Sequence, residues 1–323
     1  QGMGDAAMLG AILGEAAKSG RDKMTLIPSG GIESFCDWVE QLVAESTGKE
    51  GKGILPVVGE PLMDPVFYGK DRVFVHLRMD GDEANGPVVR DLARNGHPVI
   101  VLRLRDVYDI GRQFFLWEMA TVLAGASMGI NPFDQPNVEA AKILARKMTA
   151  AYLEEGKLPE LEPALRGGSI LVYGDVEAGG LDDVFAGFLA RAESGAYTAL
   201  QAYLPSGPET DRALKDLRAA ISRRTSMATT SGYGPRFLHS TGQLHKGDAG
   251  KGLFLQFLND RDEDAGIPDE AGAPGSSISF GILKEAQSLG DRQALLDGGR
   301  RVLRFNLGRD VVGALRRLEK ALS

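Results

Sequence analysis

One cysteine and four histidines among 323 residues leave little material for disulfides or metal sites. A lone Cys36 cannot close an internal disulfide, and it falls on the apolar side of its expected helix, so a reducing, cytoplasmic setting is expected. No His, Cys and carboxylate set has metal-ligand spacing, so no metal is expected. No apolar stretch approaches the ~20 residues that cross a bilayer, and no basic region followed by an apolar core opens the chain; no membrane partner is expected. Cations are also in deficit. A net charge of −7 argues against nucleic-acid binding, because phosphate backbones demand clustered Lys and Arg. Phosphate loops of the G-x-x-x-x-G-K-[ST] type, dinucleotide fingerprints and G-x-S-x-G elbows are missing as well, and no cofactor is expected.

What is present reads as a globular chain of one large or two ordinary domains. Apolar runs at Met24–Ile27, Ile54–Val58, Arg72–Met79 and Val99–Leu104 alternate with helical patterns at 32–46, 86–95 and 111–127. Strands alternating with helices imply parallel pairing in a doubly wound α/β sheet. A polar stretch at 154–168 is the candidate boundary, which places domains at 1–160 and 161–323. Beyond it strands are expected at 169–173, 197–204, 227–231, 253–258 and 301–307, with helices at 182–194, 210–224, 284–298 and 310–323.

Three stretches carry candidate chemistry. In the first, Ile32, Phe35, Cys36, Val39, Leu42 and Val43 form one buried helical stripe ending near Gly48, and Gln41 and Glu45 stand four apart beside it. In the second, Pro136 is tolerated only in a first helical turn, so a helix is expected from about Asp134 or Gln135 to Tyr152, with Gln135, Glu139 and Lys142 on one face. The third, Ser231–Gly247, gathers Tyr233, Arg236, His239, Ser240, Thr241, Gln243, His245 and Lys246 in one Gly-punctuated loop, the donor density that a phosphorylated or polyhydroxylated ligand requires. His76, within a strand pattern, and His97, at a strand entry, read as structural.

Two of these stretches resemble glucose-6-phosphate isomerases. Phe35, Gln41 and Glu45-Ser46-Thr47-Gly48-Lys49 are similar to a helix end of that family's second sugar-isomerase (SIS) domain. Phe133-Asp134-Gln135-Pro136-Asn137-Val138-Glu139-Ala140-Ala141-Lys142 resembles its F-D-Q-x-G-V-E-x-x-K signature, with Asn137 where the pattern has a small residue. The general family resembles the chain from about Met24 to Tyr152. The remainder, including G-P-R-F-L-H-S-T-G-Q-L-H-K-G, is similar to the isomerase half of bacterial bifunctional transaldolase/glucose-6-phosphate isomerases.

The resemblance implies a doubly wound sheet of SIS type at 1–160 and a second α/β unit after it. It implies interconversion of glucose 6-phosphate and fructose 6-phosphate through a cis-enediolate, with no cofactor. The chain starts without an initiator Met, so a piece of a longer polypeptide is expected; the resemblance implies a first SIS domain and a transaldolase barrel upstream, and a homo-oligomer is compatible with this reading. Glu45 is then the proton-transferring base, since an ordinary carboxylate is ionised at neutral pH. Lys142 and His239 assist ring opening, and Gln41, Gln135, Arg236, Ser240, Thr241 and Gln243 hold substrate oxygens. The family's ring-opening histidine follows its glutamate by roughly thirty residues, where this chain has only His76, so His239 is an analogue in a different chain order. The family's phosphate-gripping Ser/Thr loop and essential arginine belong to the first SIS domain and are not found here. The alternatives are a non-catalytic phosphosugar-binding SIS module and a purely structural role.

Overall fold

Alternating apolar runs and amphipathic stretches fold the described residues into two main sheets and one two-stranded ribbon. The computed structural model describes residues 2–322 apart from 177–178, 261–262 and 273. The first part runs α1 (Gly2–Lys18), β1 (Lys23–Pro28), α2 (Glu33–Thr47), β2 (Leu55–Val57), β3 (Arg72–Met79), α3 (Gly86–Arg94), β4 (Val99–Leu104) and α4 (Ile110–Met128). Its four strands are all parallel, in the order β2-β1-β3-β4.

Both faces of this sheet are covered. Leu26, Val73, Val75 and Leu77 meet the stripes of α2 and α4 through Val39, Val43 and Trp117, while Ile27 and Phe74 turn the other way onto Val89 and Leu92 of α3. That alternation is the two-residue period of a strand buried on both sides. The pattern is the expected doubly wound arrangement. Helix α1 lies close on α4 because Gly10 has no side chain; a Cβ there would stand 2.6 Å from the Ala120 carbonyl oxygen.

The second part runs α5 (Val138–Glu155), β5 (Leu165–Gly167), β6 (Ile170–Tyr173), α6 (Leu181–Ala190), β7 (Tyr197–Tyr203), α7 (Pro208–Thr225), β8 (Ala228–Tyr233), α8 (Gly242–Gly247), β9 (Gly252–Leu258), β10 (Gly266–Ile267), β11 (Ile278–Ser279), α9 (Phe280–Asp297), β12 (Arg301–Asn306) and α10 (Val311–Lys320). Its main sheet has the order β5-β6-β12-β9-β7-β8. Strands β12, β9, β7 and β8 are parallel, as expected, but β6 runs antiparallel to both β5 and β12. The two-residue link between β5 and β6 allows only a hairpin, since a parallel return needs a crossover of a dozen residues or so. One face of this sheet, through Leu200, Leu255, Leu303 and Phe305, packs on Phe185, Leu214, Leu217 and Leu315 of α6, α7 and α10.

Two features depart from the sequence reading. Helix α5 begins at Val138 rather than near Asp134, so Gln135 lies outside it. The Asp134 carbonyl, which a helix starting there would offer to residue 138, is instead hydrogen-bonded by the Lys49 ammonium. Helix α5 also packs lengthwise on α9, so close that a Cβ at Gly290 would stand 2.6 Å from the Ala145 nitrogen. Although α5 precedes residue 160, its body rests on the second sheet's covering helix.

The two parts are fastened by a buried polar network. Arg72 donates to Glu60 through both terminal nitrogens (2.8 and 3.1 Å) and to Thr25 Oγ1 (2.7 Å). Glu60 also accepts from the Thr229 amide (2.9 Å), and Arg218 of α7 donates to the Val58 carbonyl (3.0 Å). Burial pushes the Glu60 carboxyl up, but the Arg72 charge and hydrogen bonds outweigh it and leave the group below the usual carboxylate range. Among the described residues no helix is long and apolar enough to cross a membrane.

Candidate functional site

The two motifs singled out in the sequence are tied together in space. Lys49, which closes E-S-T-G-K, is fully buried, and its ammonium donates to the Asn131 carbonyl (2.8 Å), the Asp134 carbonyl and the Asp134 carboxylate (2.9 Å). Gln243 of α8 adds a second tie. Its amide nitrogen donates to the Gly48 carbonyl and to Asn137 Oδ1, both at 2.8 Å, while its oxygen accepts from the Asn137 amide at 2.9 Å. Gly48 is required for this approach, because a Cβ there would stand 2.3 Å from the Leu244 Cα. The end of α2, the start of α5 and α8 therefore meet at one point.

Alongside α2 lies a cleft of about 430 Å³, lined by Asp37, Glu40 and Gln41 from α2, Lys215 and Arg218 from α7, Tyr233 at the end of β8, and Arg236, His239 and Ser240 from the loop after it. Glu40 is its most perturbed carboxyl. Burial, and then the charge of Asp37, push its carboxyl up to about 7, while a hydrogen bond from Ser240 and the Arg218 and Arg236 charges oppose the rise. A carboxyl poised near neutrality in a cleft with cations and hydroxyls is a mark of functional sites. The same loop borders a second hollow of about 780 Å³, lined by Lys142, Arg146 and Leu153 of α5, by Leu238 and His239, and by Lys246, Leu283 and Gln287. His239 belongs to both.

The expected site residues divide accordingly. Gln41, Arg236, His239 and Ser240 share the cleft, and Lys142 shares the second hollow with His239. Glu45 is half-buried one turn beyond Gln41, whose amide donates to its carboxylate at 3.5 Å, and it lines neither space. Gln135 is exposed ahead of α5. Thr241 is buried at the head of α8. Gln243 is fully buried with both ends of its amide bonded within the protein, so it braces the loop and offers substrate nothing. His76 is buried, and His97 packs on Phe74 with its ring nitrogen 3.3 Å from the Pro65 carbonyl. His245 is buried among Tyr197, Phe237 and Phe254, where burial, then Lys246 and Arg300, hold its imidazole well below the usual range.

Glu40 and Arg218 were not among the expected residues, yet the sequence carries a signal for both. Glu40 lies four after Cys36 and three before Val43, on the apolar stripe itself. Arg218 follows Leu214 by four and precedes Ile221 by three, the same anomaly on α7. A charge within a helix's buried stripe is rarely idle, because such groups seldom lose water without a partner. Among the described residues no group of three or more His, Cys, Asp and Glu side chains is arranged to hold a metal.

No family model matches the chain. It is 31% identical over 163 residues to a glucose-6-phosphate isomerase of Clostridium tetani, covering 39% of this chain and 36% of that protein. It is 28% identical over 149 residues to a glucose-6-phosphate isomerase of Heliobacterium modesticaldum, covering 34% and 33%. The chain thus spans about a third of the length of the curated relatives it matches. A solved structure of a hypothetical protein from Thermus thermophilus overlaps all of this chain and 84% of its own, at 14% identity and a TM-score of 0.37, too loose an overlap to inform the reading. What stands is a mixed α/β chain with parallel sheets whose sequence is similar, over part of its length, to glucose-6-phosphate isomerases.

Proposed function

We propose that this chain contributes the second SIS-type part of an aldose-ketose isomerase acting on glucose 6-phosphate and fructose 6-phosphate, with the reaction centred where α2, α5 and the loop after β8 meet. The observation that carries the reading is the pair of ties at Lys49 and Gln243. They bring together the two stretches that resemble that family. Glu45 takes the C2 proton and returns it to C1 of the cis-enediolate; Gln41, bonded to it, sets the orientation of its carboxylate. His239, at the border of both spaces, and Lys142 assist opening of the sugar ring. Arg236, Ser240 and Lys215 supply donors for phosphate and hydroxyl oxygens.

The test is Glu45→Gln, which keeps shape and removes the base. Turnover of fructose 6-phosphate is expected to fall by on the order of 10²–10⁴-fold, with binding of the sugar phosphate retained. Turnover equal to that of the unaltered protein refutes the assignment. A second reading is favoured by one fact, that Glu45 lines neither cavity: a phosphosugar-binding module without catalysis. It predicts binding of the sugar phosphate with no exchange of its C2 hydrogen into deuterated water.

A further inference from the structure

The face of the second sheet that looks toward α9 changes character along its strands. Near their N-terminal ends Tyr197, Ala199, Phe254 and Val302 join an apolar cluster with Leu295 of α9. One step further, Gln201, Gln256 and Arg304 stand in register across β7, β9 and β12, with Tyr173 of β6 beside Arg304. All but Tyr173 are nearly inaccessible to solvent. Arg304 donates to Gln256 Oε1 at 2.7 Å and to Ser288 Oγ at 3.0 Å, and Gln256 donates to the Ser288 carbonyl at 3.1 Å.

This polar row is incomplete. Buried polar groups are nearly always satisfied, and each exception calls for a cause. Neither end of the Gln201 amide, nor the Tyr203 hydroxyl, nor Asn259 Oδ1 has a partner. Arg304 is 5% exposed, and the hydrogen-bond partners of its guanidinium are neutral. A buried cation without a bonded anion is among the costliest arrangements a fold can hold. Burial lowers Arg304 to about 10, opposed by the charge of Glu285.

Above these residues, at the carboxyl ends of β7, β9 and β12, opens a cavity of about 520 Å³ lined by Tyr173, Tyr203, Asn259, Arg304, Asn306 and Lys157. Ligands of open α/β sheets sit in just such crevices, outside the carboxyl ends of parallel strands, and the volume suits a small molecule. Glu160 and Glu285 share the walls, so the anionic end of an occupant belongs at Arg304 and its neutral hydroxyls toward the rim. We infer that this cavity is a second ligand site, separate from the cleft beside α2, and that it takes a small polyhydroxylated oxyanion: a sugar phosphate or a sugar acid. The guanidinium fork pairs with either oxyanion; the Tyr203 hydroxyl and Asn259 Oδ1, both without a partner in the protein, meet the sugar hydroxyls.

Hydrogen exchange read by peptide, with glucose 6-phosphate, gluconate or glucose added to the whole chain, tests this. The expected result is slowed exchange at 156–161 and 303–308 with the phosphate, the acid or both, and none with neutral glucose. Slowing by one alone identifies which oxyanion the site prefers. In Arg304→Gln that protection is lost while protection around 236–242 persists, and Arg304→Lys restores part of it. If Arg304→Gln fails to fold, Lys157→Glu, a surface change, is expected to weaken the same protection several-fold. The inference is overturned if neither oxyanion protects these segments, if glucose protects them equally, or if a folded Arg304→Gln or the Lys157→Glu protein is protected as the unaltered chain is.

Discussion

Glu40 offers a measurement in which sign, window and size all follow from its surroundings. Its carboxyl, ordinarily near 4.5, stands at about 7 in the folded chain because burial and Asp37 disfavour the charge. Below pH 4.5 the group is protonated in both folded and unfolded chains and has no effect on their balance. Between pH 4.5 and 7 the unfolded chain releases the proton while the folded chain holds it, so stability falls by ~1.4 kcal/mol per pH unit. Above 7 both forms are charged and the loss stays constant at ~3 kcal/mol, an upper figure because the side chain retains some contact with water at the cleft wall.

Glu40→Gln removes the titration and keeps the shape. Urea unfolding of both proteins, repeated from pH 4.5 to about 8, should show the variant gaining on the unaltered chain as pH rises, with the difference levelling off above neutrality. A difference that stays flat across this window would mean that Glu40 is ionised throughout. If Arg218 and Arg236 outweighed burial and held the group as a paired carboxylate, the slope would be reversed and would lie below pH 4.5.

Other consequences follow from the buried ties. Lys49→Met strips a buried ammonium from two carbonyls and a carboxylate, and should cost ~2–4 kcal/mol in urea unfolding, with exchange at 131–137 rising first. Arg72→Met leaves Glu60 buried and without its guanidinium; a loss of ~3–5 kcal/mol is expected, shrinking as pH falls and Glu60 protonates. Gly48→Ala drives a methyl into Leu244 and should cost ~1–3 kcal/mol by overpacking, read as a lowered midpoint in thermal unfolding. A loss well below ~1 kcal/mol for Gly48→Ala would show that α8 is free to move off α2.

The framework of this chain was written plainly in its periodicities. Strand β3 spans Arg72–Met79 as expected, and β1, β4, β7, α2 and α7 fall within a residue or two of their patterns, because each is a clean run of one hydrophobic period. The antiparallel β5-β6 edge was less legible, since a three-residue strand carries too little pattern to register. The head of α5 was misplaced because the deciding contact comes from Lys49, 85 residues away in the chain. Within the candidate site, donor density drew attention to the loop after β8, whose Arg236, His239 and Ser240 line the cleft. The same signal could not separate those from Gln243, whose identical chemistry points inward. Only coordinates reveal which amides in a crowded loop are already satisfied.

Helix α5 has one consequence for anyone dividing this polypeptide. The residue just ahead of it, Asn137, is leashed to the α2 terminus through Gln243, yet the length of the helix lies along α9. A cut in the polar stretch near residue 160 would not free two self-sufficient halves. The leading piece would carry away a helix whose greasy underside has lost its seat, and the trailing piece would bare the matching groove on α9. Each should clump when made separately and recover when the two are produced together.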